Sequence, residues 1–151
     1  MRLIRTAEQA ACEDGGYSHR MDDLTDEELA FLQSALDLAR HGDTAQLAAQ
    51  IDAGLPVNLT SAAGDSLLIL AAYHQHGETV DALLTRGADT ARQNDRGQTA
   101  LGAAVFRQSE PIVRALLAAG ADPDLGQPSA KEIAVFFQLP EMTALMSRSP
   151  D

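Results

Sequence analysis

Three sets of side chains in this 151-residue chain could do chemistry. Ser66 lies in Gly64-Asp65-Ser66-Leu67, and a serine nucleophile needs a histidine base that is itself oriented by a carboxylate. His74 and His76 flank Gln75, and His41 lies 33 residues before His74; together they could ligate a metal. Asp89 and Asp122, with Asp124 close by, are carboxylates that could pair as acid and base. Spacing argues against each reading. Two histidines at i and i+2 do not share a helix face, and His41 and His74 on neighbouring packed helices would stand about 10 Å apart, too far to share an ion. Asp89 and Asp122 are also 33 residues apart, and Thr99 follows Ser66 by the same interval. Residues that recur at one fixed interval occupy one recurring structural position.

The interval pervades the chain. Gly54, Gly87 and Gly120 obey it, as do Leu47, Val80 and Val113, and Ile51, Leu84 and Leu117. A period of this length marks a stack of supersecondary units, none of which can bury its apolar face alone. Each unit reads as two short helices and a turn. Ser66 and Thr99 stand where an N-cap belongs, before Leu68, Ala71 and Ala72 or Leu101 and Ala104 at i, i+3, i+4 spacing. Val80, Leu83 and Leu84, or Val113, Leu116 and Leu117, line the second helices, which Gly87 and Gly120 then terminate. Asp89 and Asp122, just past those glycines, suit turn chemistry. In Leu24-Thr25-Asp26-Glu27-Glu28-Leu29, Thr25 and Glu28 form a capping box that starts a helix running to near Arg40.

On these residues the chain resembles the ankyrin repeat family, whose pattern is roughly G-x-T-P-L-H-x-A-A, a short loop, a Val/Leu-rich second helix and G-A-D-x-N. The likeness covers about residues 29 to 147. It implies an all-α solenoid of stacked helix-turn-helix units with short hairpin-like loops, about four units including caps. The expected boundaries are a tail over 1–23 and a repeat domain over 24–148, with units at about 25–57, 58–90, 91–123 and 124–148. The last unit has a linker about three residues shorter than the period demands, so its register is open by one residue. Polar Lys131, Glu132 and Ser147 suit a solvent-facing end repeat. The Pro and His of the family pattern are Leu67 and Ile69 in one unit, and Ala100 and Gly102 in the next. Gly64-Asp65-Ser66-Leu67 is also similar to the nucleophile block of a large group of lipases and esterases. That likeness would require a histidine near the C-terminus, and none follows His76.

Composition narrows the field further. An apolar content of 45% in a chain of single-domain size supports one packed core. Aromatics make up only 4% and tryptophan is absent, so that core must be built from Leu, Ala, Val and Ile. A net charge of −11 with few, scattered basic residues excludes nucleic acid as the expected partner. Cys12 alone cannot form an internal disulfide, and no apolar run suits a signal peptide or membrane span, so a cytoplasmic location is expected. The single lysine, Lys131, beside many Arg and Ala is the bias of a GC-rich bacterial genome.

Carrying the family's contact positions over residue by residue gives the pair after each Ala-Ala step: Arg40 and His41, Tyr73 and His74, Phe106 and Arg107. The last unit offers Phe136 and Phe137, one of which the open register assigns to the core. The hairpin tips add Ala63 and Asp65, then Asp95, Arg96 and Gln98. Tyr73 and Phe106 belong to the residue types that most often anchor interfaces, and their alternative role is to fill gaps between helices. The resemblance therefore implies a non-enzymatic, monomeric protein-binding module without cofactors. Its acidic balance suggests a partner with a basic patch. A toxin-masking immunity or antitoxin protein is one version of that module. A hydrolase or metal-dependent regulator using His41, His74, Asp65 or Ser66 is the competing class.

Overall fold

The computed structural model describes residues 25–147; the expected tail with Cys12 lies outside the described residues. Thr25 opens the first helix, α1 (Asp26–His41), through a complete capping box. Its hydroxyl accepts from Glu28 N at 3.1 Å, and Glu28 Oε1 accepts from Thr25 N at 2.9 Å. Then follow α2 (Thr44–Asp52), α3 (Leu67–Tyr73), α4 (Gly77–Thr85), α5 (Ala100–Phe106), α6 (Glu110–Ala118), α7 (Ala130–Phe136) and α8 (Pro140–Ser147).

The starts of α3, α5 and α7 share one device. Ser66 Oγ accepts from Ile69 N at 3.1 Å, Thr99 Oγ1 from Gly102 N at 3.0 Å and Ser129 Oγ from Glu132 N at 3.2 Å. Each hydroxyl satisfies an amide that the helix leaves without an internal partner. The caps fall 33 and then 30 residues apart, which locates the shortened linker before the last unit and settles its register. The second helices end alike: Ala88 N bonds to Leu83 O and Ala121 N to Leu116 O, both at 3.0 Å, around glycines at φ 90° and 95°. Asp89 and Asp122 do serve turns, their Oδ1 atoms accepting from Ala91 N and Asp124 N.

Helices of seven to nine residues are marginal alone, so packing must hold them. In one layer α3 lies between α1 and α5, and α7 lies against α5; in the other α2, α4, α6 and α8 pack in order. Ala39, Ala71, Ala72, Ala104 and Ala134 are completely buried between the first helices, and their small side chains let the helix backbones approach closely. Leu36, Leu68, Leu83, Leu101 and Leu116 fill the space between the layers. The stack's core contains no aromatic residue among the described residues. Adjacent hairpin tips are stitched by Asp95 N to Ala63 O at 3.0 Å and Gln127 N to Gly97 O at 2.8 Å.

The last unit caps the stack. Counted from the cap residues, Leu101 and Gly102 are replaced by Lys131 and Glu132, which frees that face from the need for another repeat. The polar character expected there is incomplete: the equivalent of Val105, wholly buried, is Val135 at 69% exposure.

Between the helices of each unit the chain passes through the left-handed region, at Gly42 (φ 78°), Gln75 (64°), Gln108 (58°) and Gln138 (56°). Three glutamines show that a side chain is tolerated there at a modest cost. Gly42 differs because the His76 ring lies over it: a Cβ would meet His76 Nδ1 at 2.6 Å, and that ring's Nε2 bonds to Arg40 O at 2.7 Å. His76 is therefore a structural seal between the first two units. Gly42→Ala is expected to cost about 2–3 kcal/mol, from left-handed strain and loss of the His76 bond. Gly87→Ala shares the strain, but a Cβ there meets nothing within 4 Å. Denaturant unfolding should show Gly42→Ala as the more damaging change, and equal losses would remove the role given to His76.

Candidate functional site

The last residue of each first helix and the residue after it turn away from the core. Tyr73 and Phe106 are 40% and 44% exposed, and Phe136 and Phe137 are 78% and 48% exposed. The expectation that one of the two terminal phenylalanines is core is overturned. Ile133 and Ala134 take the buried positions of α7, and both rings follow on its outward side. The cap interval of 30 makes Phe136 the sequence equivalent of Tyr73 and Phe106, yet Phe137 continues the row in space. Tyr73 and Phe106 stack at 6.3 Å with planes 8° apart, and Phe106 meets Phe137 edge-on at 5.5 Å. Phe136 lies beyond, 4.9 Å from Phe137. All three separations are within the range of favourable aromatic pairs.

The row forms one side of a basin of ≈ 520 Å³, and the hairpin tips form the other. Arg40, Asp65, Tyr73, His74, Arg96, Gln98, Phe106 and Phe137 all line it. His41, Asp95, Arg107 and Phe136 lie outside the lining. Its floor is apolar for a reason visible in the family comparison. Where the pattern has His, this chain has Ile69, buried, and Gly102. A Cβ on Gly102 would come within 3.3 Å of Ile133 Cδ1, so the glycine leaves the space that the Ile133 side chain enters.

The hairpin wall depends on Asn94, a buried residue that the sequence reading did not single out. Asn94 Nδ2 donates to Asp65 Oδ1 at 2.7 Å and to Gln98 Oε1 at 3.0 Å, while its Oδ1 accepts from Arg96 N and Gln98 N. Asp65 thus has one carboxylate oxygen committed within the chain. The signal that could have found this hub is a lone Asn four residues before Gln98, at the tip of a hairpin where Asx turns are common.

The charges around Tyr73 are mainly cationic. Arg107 places its guanidinium 5.2 Å from the Tyr73 ring centroid, a cation–π geometry. With its amide oxygen facing Arg107, Gln75 accepts from Nη2 at 3.0 Å and Nε at 3.2 Å. Arg40 is paired with Asp37 on α1. Burial, and then the positive fields of His76, Arg107, Arg40 and His41, hold His74 below the ordinary histidine value of 6.5.

Ser66 and the histidines are otherwise employed. Ser66 is 3% exposed and its hydroxyl caps α3, so the Gly-Asp-Ser-Leu tetrapeptide is a helix start. His74 and His76 stack at 6.3 Å, with one His76 nitrogen taken by Arg40 O. Among the described residues no group of three or more His, Cys, Asp or Glu is placed to hold a metal, and no helix is long and apolar enough to cross a membrane.

Two measurements test this geometry. Asn94→Ala strands Asp65, Gln98 and two amides, and should cost about 2 kcal/mol in chemical unfolding; a loss within error of zero would show the hairpin wall to be held by its backbone alone. In an NMR pH titration His74 should protonate with a midpoint below 6.5, and Arg107→Gln should raise that midpoint without fully restoring it, because burial remains. The sign for stability follows: the folded state takes up this proton less readily than the unfolded chain. His74 therefore contributes a loss of stability that begins as pH falls through 6.5 and levels off below the folded midpoint.

Comparison with known proteins agrees with the geometry. The ankyrin repeat model, described as three copies of the repeat, matches residues 34–127. An ankyrin repeat protein of Pseudomonas aeruginosa is 48% identical over 50 residues, 33% of this chain and 29% of that protein. The mitochondrial disaggregases of Bos taurus and Homo sapiens are each 42% identical over 62 residues, 41% of this chain but 9% of their own length. The chain thus spans less than a third of the length of the relatives it matches. Ankyrin repeats are in general protein-protein interaction modules and typically non-enzymatic. With two layers of stacked helix pairs, hydroxyl-capped first helices and a family match over most of its length, the chain belongs to the ankyrin repeat family.

Proposed function

We propose that this chain is a non-enzymatic protein-binding module, acting as a monomer, whose partner docks in the basin between the hairpin tips and the row Tyr73–Phe106–Phe137. One observation carries the reading. The fully buried core holds no aromatic among the described residues, and only Phe31 packs partly buried against it, yet four of the chain's six Phe and Tyr stand exposed side by side. Exposure of 40% to 78% supports this role over the alternative that they fill gaps between helices. Large, rigid rings supply buried area at low rotamer cost, which is why they concentrate at interface centres. The twelve predicted contact residues then divide into roles. Tyr73, Phe106 and Phe137 are anchors, with Phe136 as a flanking ring. Arg40, His41, His74, Arg96 and Arg107 supply polar contacts. Asp65 and Gln98 shape the wall through Asn94, beside Asp95 on the tip.

The test is capture from a lysate of the source cell, followed by quantitative mass spectrometry. Replacing Tyr73 and Phe106 together by Ala should leave the circular dichroism spectrum unchanged, because neither ring is in the core. The double change should reduce recovery of the principal partner at least tenfold, since each buried anchor contributes about 2 kcal/mol. Undiminished capture by the folded double variant would place the binding surface elsewhere.

A further inference from the structure

The formal charge of −11 suggests a basic partner, but the groove itself is not acidic. Its lining and immediate border carry Arg40, Arg96 and Arg107, against Asp65 in the lining, Asp95 on the tip beside it and Asp37, which pairs with Arg40. Every charged group that acts on His74 is a cation. Outside the groove the cations are mostly neutralised where they stand: Arg86 is held by Asp52, Arg114 by Glu110 and Lys131 by Asp124. Arg96, in contrast, makes no side-chain hydrogen bond or ion pair among the described residues. Carboxylates on the far helices, such as Glu78 and Asp81 of α4, act through solvent, where salt screens them over a Debye length of about 8 Å. At contact distance the charges of the border are balanced in number, and the cation that stands open among the described residues is the Arg96 guanidinium. The groove is also polarised along its length. Arg107 lies over Tyr73, Arg40 acts on the neighbouring His74 and Arg96 stands on the hairpin wall, while Phe106, Ile133, Phe136 and Phe137 extend the surface without a charge.

We propose that the groove recognises an extended protein segment with two parts: a run of acidic residues that lies against Arg96 and Arg107 beside Tyr73, and an adjoining aromatic or aliphatic side chain that enters the apolar basin by Phe106 and Phe137. The inference rests on the groove reading above and adds the chemistry of the partner. Carboxylates satisfy the open guanidinium of Arg96 in a bidentate manner that a lysine-rich segment cannot reproduce. The basin, lined by rings and Ile133, takes the apolar anchor that confers affinity.

The test uses the whole 151-residue chain and two synthetic twelve-residue peptides. Both carry Leu-Phe-Leu at one end; the other end is Asp- and Glu-rich in the first and Lys-rich in the second. Heteronuclear NMR titration reads both affinity and site. The acidic peptide should shift resonances of Tyr73, Arg96, Phe106 and Phe137 and bind about tenfold more tightly than the lysine peptide at low salt, with the gap shrinking as salt rises. Arg96→Glu combined with Arg107→Glu, both at exposed positions, should reverse that order. Tighter or equal binding of the lysine peptide, an order unchanged by the double charge reversal, or no groove shift with millimolar acidic peptide each overturns the proposal. The same groove shifts produced in the free full-length chain by Glu13→Lys with Asp14→Lys would show residues 1–24 as the occupant and also overturn it. Groove binding as such is judged separately, by the Tyr73 and Phe106 capture experiment.

Discussion

Contact between neighbouring first helices, made through completely buried alanines, is the interaction on which everything else here depends. A seven-residue helix cannot persist on its own hydrogen bonds. Ala71 and Ala72 in α3 and Ala104 in α5 let the backbones approach until leucines of both layers interlock. Bulkier side chains at those positions would separate the units. The hydroxyl caps, the left-handed turns and the tip-to-tip hydrogen bonds then refine an arrangement that neighbour contact makes possible.

The same economy explains where the aromatic rings lie. The fully buried core is built mainly of Ala, Leu, Val and Ile, with Phe31 only partly buried against it, and Tyr73, Phe106, Phe136 and Phe137 stand at the ends of the first helices, where the chain leaves the layer. Stacked repetition sets those ends in line and converts three separate rings into a continuous row. The opposite wall is held with comparable care. Asn94 has both side-chain polar atoms satisfied within the hairpin, so the wall is presented ready-formed, and a ready-formed surface loses little entropy on binding.

Much of this was legible from residue types and spacing. The 33-residue interval exposed the stack, and setting Ser66 beside Thr99 exposed the capping role behind a tetrapeptide that otherwise suggests a nucleophile. The turn duty of Asp89 and Asp122 and the outward row of Tyr73 and Phe106 followed from the same alignment of units. Other features involve residues that the period does not relate. His76 reaches back 36 residues to the Arg40 carbonyl across Gly42, and Asn94 reaches 29 residues to Asp65. Neither pair has a counterpart one unit away. A repeat argument finds what recurs and passes over what occurs once.

The amino-acid sequence by itself determined the architecture, because apolar periodicity, cap hydroxyls and glycine positions are local properties that each unit repeats. It also limited what the core could be made of, since size and polarity travel with the residue. Only the tertiary structure decided which phenylalanine continues the aromatic row and where the charges act. Those outcomes depend on distances between units, and the shortened linker before α7 shifts such distances without leaving a periodic trace. A net charge is a sum over the chain, whereas a groove responds to the charges within a screening length of it. Folding brought Arg40 and Arg96 into one basin with Asp65 and set Arg107 over the Tyr73 ring.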